Sequence, residues 1–123
     1  MINAKKKGAR GERLWRDELN AAGFIGSARN GQQGNGGGCD NPDVMCPMLP
    51  QYHWECKFTQ KLQIYKAMEQ AVKDSAGKRI PVVASKRKNE DWLVTMKAKD
   101  FLELLKKNIV TEYKTNNDNN ETR

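Results

Sequence analysis

The sequence predicts one α/β (α+β) domain: a mixed central β-sheet flanked by helices, in the order α-β-β-β-α-β-β-α. Three observations predict it. Two segments carry apolar residues at helical spacing, each with a glycine just beyond its end. Between and after them lie short β-branched and aromatic runs punctuated by proline and glycine. The length of 123 residues, 37% of them hydrophobic and 30% charged, suits a single domain with a small core, whose leftover apolar surface a second copy would cover.

Residues 1–8, with Lys5, Lys6 and Lys7, read as a basic N-terminal arm. From Ala9 to Ala22, Leu14, Trp15, Leu19 and Ala22 recur at helical spacing, and Gly23 is a stop signal. Glu12 lies three residues before Trp15 and seven before Leu19, on or beside the buried face, while Arg10, Arg13 and Arg16 lie toward the other side. A carboxylate there either has a partner or reaches solvent from the edge of the face. Phe24–Arg29 reads as a short strand, and Asn30–Asn41 as a loop with five glycines. No Gly-Lys-Ser/Thr follows it, so it is not a P-loop. Pro42–Met48 and Gln51–Phe58 form a hairpin whose connection is bracketed by Pro47 and Pro50. Alternation puts His53, Glu55 and Lys57 on one face, toward a cleft or solvent, and Trp54, Cys56 and Phe58 on an inward face.

Ile64, Ala67, Met68, Ala71 and Val72 make residues 62–76 an amphipathic helix ending at Gly77. Ile80–Ser85 is a buried strand, Lys86–Asp91 a polar turn, and Trp92–Met96 the returning strand. Ala98–Asn108 is a last helix carrying Phe101, Leu102, Leu104 and Leu105. The single domain is thus 1–114, and residues 115–123 have no apolar side chain and are expected to be a disordered polar tail.

The net charge is +7, unevenly spread. Residues 1–29 carry seven positive and three negative charges, residues 30–56 none and three, residues 57–88 nine and two, and residues 89–123 six and seven. An acidic island of Asp40, Asp43 and Glu55 therefore lies between two basic segments. Basic segments attract nucleic acid, and acids in their midst oppose that attraction unless a cation bridges them. No run approaches the roughly 18 apolar residues of a membrane span, and no apolar stretch follows the lysine cluster, so secretion and membrane insertion are not expected. Three cysteines, Cys39, Cys46 and Cys56, argue against a disulfide scaffold and for a cytoplasmic location. With His53 they lack the paired spacing of a zinc knuckle.

Asp43 opens one strand, and Glu55-Cys56-Lys57 follows twelve residues later across the hairpin. Two carboxylates on adjacent strands suit a hard divalent cation, Mg²⁺ or Mn²⁺ in its place. Such an ion offsets their charge and acidifies a water that attacks phosphorus. The Cys56 carbonyl is a plausible further ligand, and Lys57, on the Glu55 face, can stabilise charge on the phosphorane. Read by themselves, Asp43 and Glu55 also suit an exposed hairpin surface, with Glu55 paired to Lys57 at about 0–1 kcal/mol. Lys5, Lys6, Lys7, Arg10, Arg13, Arg29, Lys61, Lys86, Arg87 and Lys88 are the expected phosphate-backbone contacts, and no base-reading motif is visible.

Pro42-Asp43 with Glu55-x-Lys57 resembles the PD-(D/E)XK nuclease signature, and the chain from about residue 5 to 105 resembles archaeal-type Holliday-junction resolvases and their phage relatives. Lys7-Gly8-Ala9-Arg10-Gly11-Glu12, the Pro-Asp strand, Glu55-Cys56-Lys57 and a helix bearing Gln70 carry the resemblance. It implies a restriction-endonuclease-like fold, with Glu12, Asp43 and Glu55 as metal-site carboxylates, Lys57 as catalytic lysine and Gln70 as an accessory residue. It further implies a homodimer that uses Mg²⁺ to nick four-way DNA junctions. The rivals are a restriction- or repair-type endonuclease of the same fold, and a basic DNA-binding protein whose carboxylates are structural.

Overall fold

The computed structural model describes residues 4–30 and 42–121, with side chains described over 8–30 and 42–109. Helix α1 (Ala4–Ala21) leads into β1 (Ala28–Arg29), β2 (Val44–Met45) and β3 (Tyr52–Phe58). Helix α2 (Ile64–Ser75) connects to β4 (Ile80–Lys86), β5 (Leu93–Met96) returns, and α3 (Ala98–Glu121) follows. The element order is the expected one. The five strands form one sheet in the order β1-β2-β3-β4-β5, with β3 and β4 parallel across α2 and every other pair antiparallel. This is a mixed sheet with helices, an α+β arrangement consistent with a restriction-endonuclease-like fold. No helix among the described residues is long and apolar enough to cross a membrane.

Both faces of the sheet are covered. On one, Trp15 and Leu19 of α1 pack with Val44, Trp54, Val82 and Ala84. The Trp15 ring sits 5.4 Å from Trp54 and 5.0 Å from Trp92, tilted against each, a geometry favourable for aromatic pairs. On the other face, Ala67 and Ala71 of α2 close over Val83. Val83 is the register partner of Glu55, so the face carrying His53, Glu55 and Lys57 is the one beneath α2. His53 and Glu55 are accordingly buried, which corrects the expectation that this face meets a cleft or solvent. A parallel β-α-β connection puts a helix across the sheet and buries the second face as well.

The boundaries differ in four places. Helix α1 begins at Ala4, so residues 4–8 of the expected arm continue the helix. Strands β1 and β2 are two residues each, because Gly23 and Gly26 hold left-handed backbone before β1 and prolines 42 and 47, which lack an N–H, flank β2. Helix α3 runs on to Glu121, through residues 115–121 of the expected tail. No glycine or proline follows Pro81, so nothing steric stops it, and a polar composition lowers packing gain without forbidding the helix. Residues 122 and 123 lie outside the described residues, as does the loop 31–41 with Cys39 and Asp40.

Gly11 fixes how closely α1 lies on β3. A β-carbon there would come 2.7 Å from the Phe58 Cβ, whereas one at Gly8 would meet nothing within 4 Å. Gly8→Ala should therefore stabilise the protein by up to about 1 kcal/mol through helix propensity. Gly11→Ala should destabilise it by about 1–3 kcal/mol despite the same gain, because overpacking forces the two elements apart. Urea titration of the two variants checks the opposite signs.

Candidate active site

The hairpin between β2 and β3 assembles the acids. Leu49 N–H donates to the Cys46 carbonyl at 3.0 Å inside the proline-bracketed turn, and Val44 registers with Trp54. One residue earlier, Asp43 N–H donates to the Trp54 carbonyl at 2.9 Å, so Asp43 stands opposite Glu55 on the antiparallel pair. Its own carboxylate is fixed in turn, since Asp43 Oδ2 accepts the Cys56 N–H at 2.8 Å. Asn30 closes the base of the glycine-rich loop, its N–H donating to the Asp43 carbonyl at 3.0 Å and its amide to the Pro42 carbonyl at 2.9 Å.

Burial pushes the Asp43 carboxyl up to about 8, with the Glu55 charge and a hydrogen bond between the two acids adding to the rise. For Glu55 burial also acts upward, but its interactions with the neighbouring His53 and Asp43 side chains and with the Lys57 charge outweigh it and hold this carboxyl below the ordinary range. The two acids therefore titrate as a pair, with the proton held more tightly on the Asp43 side than on the Glu55 side. Glu55 Oε2 is buried and makes no hydrogen bond, with His53 Nε2 at 3.6 Å. The Cys56 thiol is pushed well up, by burial first and then by the charges of Asp43, Glu12 and Glu55. It stays a thiol, so the donor set here is oxygen.

Lys57, two residues beyond Glu55 on the same face, donates from Nζ to Gln70 Oε1 of α2 at 2.7 Å. The structure thus brings Asp43, Glu55, Lys57 and Gln70 into one chain of neighbours. Glu12 is placed differently. It is buried on α1, beneath the opposite face of the sheet, and accepts a hydrogen bond from Arg29 Nε in an ion pair. Its charge is felt at Asp43 and Cys56, but the hydrogen bond it accepts comes from Arg29 and not from the acid pair. Among the described residues no three His, Cys, Asp or Glu side chains are spaced to hold one metal ion. Sequence reasoning missed the Glu12–Arg29 pair, though a buried-face glutamate signals the need for a cation.

The basic residues fall in three settings. Arg10 lies with its guanidinium 5.7 Å from the centre of the Phe58 ring, and Arg13 is exposed. Lys61, Lys86, Arg87 and Lys88 gather where the parallel strands β3 and β4 end, beyond Lys57, and there Lys88 N–H donates to Gln60 Oε1 at 3.1 Å. Two expected phosphate contacts are already paired with carboxylates: Arg29 holds Glu12, and Arg87 Nη2 pairs with Glu90 at 2.9 Å. Lys86 Nζ reaches the Arg87 and Glu90 carbonyls. The side chains of Lys5, Lys6 and Lys7 lie outside those described. An apolar groove of about 730 Å³, lined by Ile64, Met68, Val72 and Met96 among others, contains none of these residues.

Two acids face each other across a hairpin, with a lysine two residues along the second strand, in keeping with the resemblance of Pro42-Asp43 and Glu55-x-Lys57 to the PD-(D/E)XK signature. A family model described as "Phage putative PDDEXK endonuclease" matches residues 3–123. The chain belongs to that family. It is thus a PD-(D/E)XK nuclease, and membership implies DNA as its substrate. No curated protein and no solved structure matches the chain.

Proposed function

We propose that this PD-(D/E)XK nuclease is a divalent-metal-dependent endonuclease that acts on branched DNA, as a homodimer that nicks four-way junctions in pairs. The observation that carries the catalytic part is the Asp43–Glu55 pair beside the Lys57–Gln70 hydrogen bond. Two facing carboxylates, Asp43 and Glu55, suit a hard cation such as Mg²⁺, which keeps waters and substrate phosphate in the rest of its shell. Glu55 Oε2 is buried without a hydrogen bond, and an all-oxygen donor set with a raised acid is one that Mg²⁺ or Mn²⁺ relieves. Asp43 and Glu55 would hold the ion, with Glu12 and the Cys56 carbonyl as further oxygen ligands. Glu12 joins only on leaving Arg29.

When bound, the ion supplies positive charge to the scissile phosphate and acidifies a water. The chain's own residues do the rest. A water oxygen bonds to phosphorus and gives up a proton to solvent, one bridging phosphorus–oxygen bond breaks, and the departing oxygen takes up a proton from solvent. Lys57 Nζ, aimed by Gln70, places an ammonium where charge grows on the phosphoryl oxygens. The basic cluster at the ends of β3 and β4 holds the adjoining backbone, which supports recognition by charge and shape with steep salt dependence.

The resemblance to junction resolvases supports the junction preference, and the exposed apolar surface supports the dimer. Leu93 and Val94 on the edge strand, and Phe101, Leu102, Leu105 and Ile109 on α3, remain exposed, which supports a second copy covering them. Labelled four-way junction, linear duplex and single strand, each incubated with Mg²⁺, test the reading. Paired nicks in the junction at a rate at least tenfold above duplex are expected. Equal cutting of duplex would leave a general endonuclease of the same fold, and binding without any cutting would leave a DNA-binding protein.

A further inference from the structure

We infer that His53 is a positioning residue for this site: its imidazole sets the orientation of the Glu55 carboxylate and thereby the affinity of the site for a divalent ion. The inference rests on the metal-dependent reading above. His53 is the largest of the fully buried side chains and the single histidine of the chain. Strand parity puts it on the Glu55 face, under α2, where its β4 neighbours Pro81 and Val83 are apolar. An apolar side chain would suit that layer, so a fully buried ring nitrogen there needs a polar role. Its Nε2 lies 3.6 Å from Glu55 Oε2, just outside hydrogen-bond reach of the oxygen that makes no other hydrogen bond.

The charged groups facing Glu55 are Asp43 across the hairpin, His53 two residues before it and Lys57 two residues after it. Asp43 and Lys57 both face the substrate side of the site in the proposed mechanism, and the fully buried His53 meets the carboxylate from the enclosed interior. A ring fixed by packing limits the rotation of that carboxylate, as the partner of a metal-binding group commonly does, and losing such a partner typically costs about 10–100-fold in metal affinity.

The test uses the full chain and Mn²⁺ alone, with binding read by calorimetry. His53→Leu is expected to weaken Mn²⁺ binding about tenfold or more, and His53→Gln, which restores an N–H donor, to recover most of the loss. Saturating Mn²⁺ should return the cleavage rate of both variants to within a few-fold of wild type, because the reacting groups are untouched. Wild-type Mn²⁺ affinity in His53→Leu, with affinity lost in Glu55→Gln, would overturn the role of His53 and leave the metal site standing. Undiminished affinity in Glu55→Gln would overturn the metal-site reading itself and this inference with it. Should His53→Leu not fold, the wild-type protein decides. Its one imidazole gives an unambiguous NMR signal, which Mg²⁺ saturation should shift in wild type and not in Asp43→Asn, and an unmoved signal in wild type would overturn the inference.

Discussion

Asp43→Asn is expected to abolish cleavage and at the same time to make the metal-free protein more stable at pH 8. The first effect is the loss of a negative ligand from the site, a fall of about 10³-fold or more in rate. The second follows from the acid pair. Burial and the neighbouring Glu55 charge raise Asp43 from an ordinary 3.8 to about 8, so between those values the folded chain holds a proton that the unfolded chain has released. Stability from this group therefore falls as pH rises through that window. Glu55 has the opposite sign. Its lowered carboxyl contributes stability above its ordinary 4.5, lost only as pH falls further, so it does not offset the Asp43 slope near neutrality. The wild-type melting temperature should drop between about pH 5 and pH 8. Asparagine keeps an oxygen for the Cys56 N–H and offers an amide to Glu55, with no charge to desolvate. The variant should melt roughly 5 °C or more above wild type at pH 8 and show a flattened pH profile, a stabilisation on the order of 1–2 kcal/mol. Scanning calorimetry across pH checks it. A wild-type melting temperature that climbs steadily from pH 5 to pH 8 would contradict the acid pair as described.

The heart of the site was legible because a strand's period of two is rigid. Pro42 and the two prolines of the turn locate the hairpin, which brings Asp43 opposite Glu55, and parity alone then puts Lys57 beside Glu55. Gln70 was legible only by resemblance, since its helix position is exposed and off the apolar stripe, yet it is the partner that Lys57 finds. Burial of the His53–Glu55 face was not legible. Alternation says which residues share a face and not how many layers cover it, and the second layer comes from a helix later in the chain. The Glu12–Arg29 pair was hidden for a related reason: the partners are seventeen residues apart on different elements, and no local period links them. Arg29 counts in a charge tally as a phosphate contact, while in the fold its charge is matched within the protein. The extension of α3 to Glu121 went unseen because polar composition argues about packing and not about backbone sterics.

Lys57→Ala is expected to slow cleavage about 10²–10³-fold while leaving metal binding nearly intact, the size of effect seen when one donor to a developing oxyanion is removed. Among the described residues the ammonium makes no hydrogen bond to a metal-site oxygen; it donates to Gln70 Oε1, at 2.7 Å. Gln70 acts through that lysine. Without the amide the Lys57 side chain regains several rotamers, and the ammonium stands in the productive position a smaller fraction of the time, so Gln70→Ala should cost about tenfold. The two substitutions remove one device, and their effects should not add. The double variant Lys57→Ala, Gln70→Ala is expected to cleave no more slowly than Lys57→Ala alone. Single-turnover rates at saturating Mg²⁺ measure all three variants, with Mn²⁺ calorimetry as the control that the acids still bind. Additive losses in the double variant would mean that Gln70 meets the DNA by itself, and an unchanged rate in Lys57→Ala would remove the lysine from the chemistry altogether.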